Sequence, residues 1–101
     1  MSILWLSRHQ MTEQQHRALP VDGPVFTHNV TFSADGKIAA YEIMALADRE
    51  SATYSAGVFP AHVAIYLSRM MPGQVLIPVS VPAPAKEGET RAFIFDHWEV
   101  F

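Results

Sequence analysis

Ser7, Arg8 and His9 are three consecutive residues whose side chains can handle an anion and a proton. A guanidinium stays charged and pairs with a phosphate through two parallel N–H donors. An imidazole exchanges a proton near neutral pH, and a hydroxyl donates to a phosphate oxygen. Arg8 and His9 are therefore the candidate catalytic groups, with Ser7 as a ligand contact. A second cluster runs Ser55-Ala56-Gly57-Val58-Phe59-Pro60-Ala61-His62. Glycine admits a ligand close to the backbone, and a helix starting after it turns its first amides toward an anion. Ser55, Gly57, Val58, Phe59 and His62 join the candidate binding set on that ground. Asn29, Thr31 and Ser80 complete it, as polar residues near expected strand ends.

Each candidate has a plainer reading. Residues 7–9 form a solvated loop in which Arg8 meets a local carboxylate; Gly57 only makes a turn, and His62 is exposed; Asn29 and Thr31 cap the next helix. His97 lies in an aromatic stretch between Phe95 and Trp98 and reads as a core or interface histidine rather than a catalytic one. His16 and His28 have no partner that the sequence identifies. No spacing of histidines and carboxylates matches a zinc site, and the chain has no cysteine, which rules out disulfides and thiolate sites. The expectation is no metal and no cofactor.

The elements that must position these groups follow from the hydrophobic pattern. Ile3-Leu4-Trp5-Leu6 is an apolar run of the kind buried parallel strands show. It stops at Ser7, where ligands bind in an open α/β sheet, just beyond the carboxyl ends of strands. Thr12-Glu13-Gln14-Gln15 matches a capping box, with Thr12 as N-cap and Gln15 at N3; Pro20 and Gly23 keep that helix short. Residues 24–32 read as a second strand. Ser33 is the predicted N-cap of a helix over about 34–50, although Asp35-Gly36 is also a turn signal that shifts its start toward Lys37. Ala39, Ile43, Leu46 and Ala47 give that helix its apolar stripe. A third strand spans 52–58. Pro60 fits N1 of a third helix, with Val63, Tyr66, Leu67 and Met70 on its inner face and Pro72-Gly73 ending it. Residues 75–81 form a fourth strand in which Pro78 requires an edge or a bulge. Residues 82–90 connect it to a closing strand over 92–101. The predicted order is β-α-β-α-β-α-β-β: a small Rossmann-like, three-layer α/β domain with a mostly parallel sheet, right-handed crossovers and a C-terminal hairpin.

With 101 residues, half of them hydrophobic and 17% charged, the chain has the size and composition of one compact domain spanning 1–101. A domain of this length buries roughly 60–70% of its unfolded surface, so dimerisation would add to a limited core. The net charge of −3 argues against non-specific binding of duplex DNA, but not against a small anion held by a few aimed groups. No apolar stretch reaches the ~18–20 residues of a membrane span. The first apolar run has no basic stretch ahead of it and so does not read as a signal peptide. With no cysteine, the expected location is the cytoplasm.

The chain resembles the small stand-alone CRISPR-associated Rossmann-fold (CARF-like) ring nucleases, which bind and cleave cyclic oligoadenylate. The resemblance is carried by Leu6-Ser7-Arg8-His9 followed by Met11-Thr12-Glu13-Gln14-Gln15, and by the Gly57 turn. It continues through Leu76-Ile77-Pro78-Val79-Ser80 and the closing Phe95-Asp96-His97-Trp98-Glu99-Val100-Phe101. Val81-Pro82-Ala83-Pro84 departs from the family, which often has more hydroxyl and basic residues there. The resemblance implies a two-fold homodimer whose paired crevices hold one cyclic RNA second messenger. It also implies metal-independent cleavage by ribose 2′-hydroxyl attack, leaving 2′,3′-cyclic phosphate ends. In that scheme Arg8 stabilises charge, His9 assists proton transfer, and Ser7, Ser55 and Gly57 hold phosphate or ribose. Leu4-Trp5-Leu6-Ser7-Arg8-His9 also resembles the start of histidine phosphatases and phosphoglycerate mutases, in which the histidine takes the phosphoryl group. There Gln10 stands in place of the expected glycine. A third reading is a non-catalytic sensor or sequestering protein for the same nucleotide, or a small dimerisation module.

Overall fold

The computed structural model describes residues 1–83, 88 and 92–101. Its elements are β1 (Ile3–Leu6), α1 (Glu13–Arg17), β2 (Val25–His28), α2 (Gly36–Arg49), β3 (Tyr54–Gly57), α3 (Ala61–Met70), β4 (Val75–Pro82) and β5 (Phe93–Val100). The five strands form one sheet in the order β2-β1-β3-β4-β5. β1 pairs in parallel with both β2 and β3, β3 pairs in parallel with β4, and β5 closes the sheet antiparallel to β4. This is the small α/β, Rossmann-like layer that the strand and helix pattern predicts.

The alternation of β1 shows why it sits in the middle. Leu4 and Leu6 pack with Ala39, Ala40, Ile43 and Ala47 of α2 and Val63 and Leu67 of α3. Ile3 and Trp5 enter a second cluster with Ala56 and Leu76, flanked by Met11, Leu19, Val21 and Trp98. All four β1 residues are buried, because successive side chains of a strand face opposite layers and both layers are apolar. One layer is two long helices. The other is thin: α1 has five residues, none of them buried.

Local chemistry sets the ends of the elements. Thr12 and Gln15 form the predicted capping box at α1. At α2 the N-cap is Asp35, whose carboxylate accepts from the amides of Lys37 and Ile38; Ser33 instead accepts from the Asp35 amide. The aspartate wins because it stands where those orphan donors point. α2 ends in a Schellman motif: Ala52 N–H donates to Ala47, Ser51 N–H donates to Asp48, and Ser51 adopts φ 54°. At α3, Pro60 is the N-cap and not the predicted N1, which falls to Ala61; its ψ of 148° is extended. β2 and β3 are shorter than expected. Val30 and Phe32 leave the sheet to pack against the α2–α3 cluster, and the Thr53 amide bonds outside the ladder, to Ser2.

β4 lies between β3 and β5, yet Pro78 costs the sheet no hydrogen bond. Phe101 and Val75 exchange both backbone bonds, so by antiparallel alternation Pro78, opposite Trp98, is a non-bonded position on the β5 side. On its other side the pairing with β3 extends only through Val75 and Leu76. A register shift follows at Val79/Ser80, where Val79 pairs with His97 and Ser80 with Phe95. Asp96 is thus the extra residue of a bulge. The predicted connection 82–90 begins later than expected, since Pro82 belongs to β4 and Ala83 bonds to Ala92. Pro84 and most of that connection lie outside the described residues.

Candidate functional site

A sheet ordered β2-β1-β3-β4-β5 reverses its winding between β1 and β3, and ligands of such sheets sit beyond the strand ends at that reversal. A cleft of about 600 Å³ opens there, lined by Trp5, Leu6, Ser7, Arg8, His9, Gln10, Thr12, Gln15 and Val58. β1 supplies its floor, the loop after β1 one wall, the first turn of α1 another, and Val58 the β3 side.

Hydrogen bonds fix the polar groups of the loop. The His9 amide donates to Ser7 Oγ at 3.2 Å, which occupies the hydroxyl as an acceptor and leaves its proton to donate to an anion. The Trp5 indole N–H donates to the His9 carbonyl at 2.8 Å. That bond pins the loop to the buried strand while the side chains of Arg8 and His9 remain exposed. Thr12 and Gln15 are occupied with each other's backbone. Gln10 meets Thr27 of β2 through a 2.9 Å side-chain contact. Among the described residues Arg8 is the only fixed charge on the lining, and no carboxylate lines the cleft.

The structure thus brings Ser7, Arg8, His9 and Val58 together and disperses the other candidates. Ser55 is fully buried in β3, with its hydroxyl 3.9 Å from the Met71 sulfur; it is a core residue and not a ligand contact. Gly57 is buried beside Leu6, and a Cβ there would come within 3.1 Å of the Leu6 carbonyl oxygen. Its role is close strand packing. Phe59 turns inward and meets Phe32 edge-on at 5.8 Å. His62 lies with a ring nitrogen 3.3 Å from the Ser33 carbonyl oxygen, away from the cleft lining. Thr31 borders a small apolar recess on α2. Asn29 is exposed after β2, and Ser80 is exposed at the bulge; neither lines the cleft.

His97 is neither core nor cleft. It stands exposed on β5 with Nδ1 2.6 Å from Asp96 and Nε2 3.0 Å from Glu99. The Glu99 and Asp96 carboxylates raise its pKa above the ordinary 6.5. The bulge explains the cluster, because an extra residue re-aims a side chain that alternation would send to the other face. His28 also has a partner, Glu50 at 3.5 Å.

Trp5, Gln10, Thr12 and Gln15 are cleft residues that motif reasoning passes over. Thr12 and Gln15 are legible only as a cap, and Trp5 only as core. The available signal was proximity: all four lie within a few residues of Ser7-Arg8-His9. Among the described residues no group of three or more histidines, cysteines or carboxylates could hold a metal ion, and no helix is long and apolar enough to cross a membrane. No family model, curated protein or solved structure matches the chain.

Proposed function

We propose that the cleft binds a phosphodiester of cyclic oligoadenylate and cleaves it. The observation that carries this reading is the cleft's position and chemistry: it lies at the β1/β3 reversal, with a hydroxyl donor, a guanidinium and an imidazole on one pinned loop and, among the described residues, no carboxylate to repel an anion. Cleavage by this set is an in-line displacement. The ribose 2′-oxygen attacks phosphorus as His9 takes its proton, and the bond to the 5′-oxygen breaks as the protonated His9 gives that proton to the leaving oxygen. The products are a 2′,3′-cyclic phosphate and a free 5′-hydroxyl. Arg8 offsets the extra negative charge of the phosphorane, which is where a preorganised cation contributes most. Ser7 holds a non-bridging oxygen and orients the phosphate for attack.

Pairing of two protomers belongs to the same reading. The exposed Phe93, Ile94, Val100 and Phe101 of the terminal hairpin support it. A binding-only protein is the second reading, favoured by the single imidazole on the lining among the described residues: one group must serve as both base and acid. A phosphohistidine mechanism is disfavoured, because among the described residues no carboxylate stands on the lining to protonate a leaving group. Calorimetric titration with cyclic tetra- and hexa-adenylate, beside their linear forms, tests the proposal. Saturable binding of a cyclic form supports it, and no heat with either ring rejects it.

A further inference from the structure

We infer that Trp98, which lies on β5 and outside the cleft lining, is a positioning residue for the cleft, acting through Trp5 and the backbone of α1. The inference rests on the anion-binding reading above for its functional consequence and on the geometry alone for its mechanical one. The two polar walls of the cleft are each hung from one indole. Trp5 Nε1 donates to the His9 carbonyl at 2.8 Å, and Trp98 Nε1 donates to the Gln15 carbonyl at 2.9 Å. The two rings meet edge to face, with centroids 5.9 Å apart and an interplanar angle of 81°. Phe95 extends the stack from Trp98 at 5.7 Å. These are the only two tryptophans in the chain.

α1 needs such an anchor. A five-residue helix with no buried residue is far below the length at which a helix holds itself in water. It has little core burial to keep it in place. Among the described residues its hydrogen bonds to the sheet are the Trp98 bond and a longer contact, 3.5 Å, from Gln14 to the Phe95 carbonyl. On the other wall, Arg8 and His9 are exposed, so the direction of their side chains is set by a loop backbone that Trp5 holds. The edge-to-face contact sets the spacing between the two anchors. A shift of β5 therefore moves the α1 wall relative to the Arg8–His9 wall, although among the described residues none from β5 lines the cleft.

Trp98→Phe tests this, since it keeps an aromatic ring in the stack and deletes the N–H. The readouts are amide hydrogen exchange along the chain and affinity for cyclic tetra-adenylate and for inorganic phosphate. The expected result is faster exchange confined to residues 9–17, with β1 and β3 still protected. Affinity falls roughly fivefold or more, the fold-change of one lost hydrogen bond. A merely structural tryptophan would instead speed exchange everywhere and leave affinity per folded molecule unchanged, which overturns the proposal. So does unaltered exchange in residues 9–17. Should the wild-type protein bind neither probe, the anion-binding reading fails, and the exchange pattern alone decides the positioning role. If Trp98→Phe does not fold, Trp98→Tyr, which also keeps a ring and deletes the indole N–H, serves in its place with the same expected and overturning outcomes.

Discussion

Replacing Gly36 with alanine pits two effects of known size against each other. Gly36 is the first residue of α2, and a Cβ built there would sit 2.0 Å from the His62 carbonyl oxygen. That is at least ~1 Å inside any tolerable carbon–oxygen contact. The obstacle is backbone of α3, and behind it lie Ala39, Ala40, Ile43, Val63 and Leu67, all buried. The methyl cannot be accommodated by turning a flexible side chain; the two helices must separate. Overpacking of this kind costs about 1–3 kcal/mol, and an immovable neighbour argues for the upper end. Against it stands the helix propensity of alanine, worth at most ~1 kcal/mol over glycine. The net is a loss of about 2 kcal/mol. For a domain of this size that lowers Tm by roughly 10 °C, at ~4–8 °C per kcal/mol. Thermal unfolding followed by circular dichroism measures it. A variant as stable as the wild type, or more so, would refute the close approach of α2 and α3.

Ser51→Gly should act in the opposite direction. Ser51 holds φ 54° at the C′ position of α2, where a side chain costs ~1–2 kcal/mol and glycine costs little, so Tm should rise by several degrees. The imidazole of His97 should titrate above 6.5 by NMR, and Glu99→Gln or Asp96→Asn should each lower its midpoint. A histidine whose folded pKa is raised contributes stability fully present below its unfolded value and lost as pH rises through the folded one. The terminal hairpin should therefore show its slowest opening by hydrogen exchange at mildly acidic pH and loosen above the His97 midpoint. Arg8→Ala should leave Tm unchanged, because the side chain is exposed, and weaken phosphate-ligand binding roughly tenfold or more, as loss of a charge-assisted contact does. Ser55→Ala should leave binding intact.

What the sequence made legible was what depends on patterning along a few adjacent residues. The four apolar residues before Ser7 fixed a central strand, Thr12 and Gln15 a helix start, and Pro78 a strand with an irregularity close by, at the Val79/Ser80 register shift, because each is a local steric or hydrogen-bonding demand. The Ser7-Arg8-His9 wall of the cleft was legible for the same reason, given where sheets of this type bind ligands. The β3 side was not. Counting from a strand end places Ser55 and Gly57 near a ligand, but strand alternation and the register with Leu4 and Leu6 put both in the packed interior. Only Val58, one residue beyond the strand, emerges. His97 was hidden by the bulge at Asp96, a one-residue slip that periodicity cannot anticipate. The tryptophan anchors join residues 83 and 4 positions apart, and the longer of those contacts exists only once the sheet is assembled.

We propose that the Ser7-Arg8-His9 cleft breaks a cyclic oligoadenylate by 2′-hydroxyl attack. Its most direct test is incubation of the purified protein with labelled cyclic tetra- and hexa-adenylate in EDTA, followed by chromatographic and mass analysis of the products. Linear products ending in 2′,3′-cyclic phosphate, lost in Arg8→Ala, are the predicted result. Rings recovered intact, or cleavage undiminished by Arg8→Ala, would contradict it.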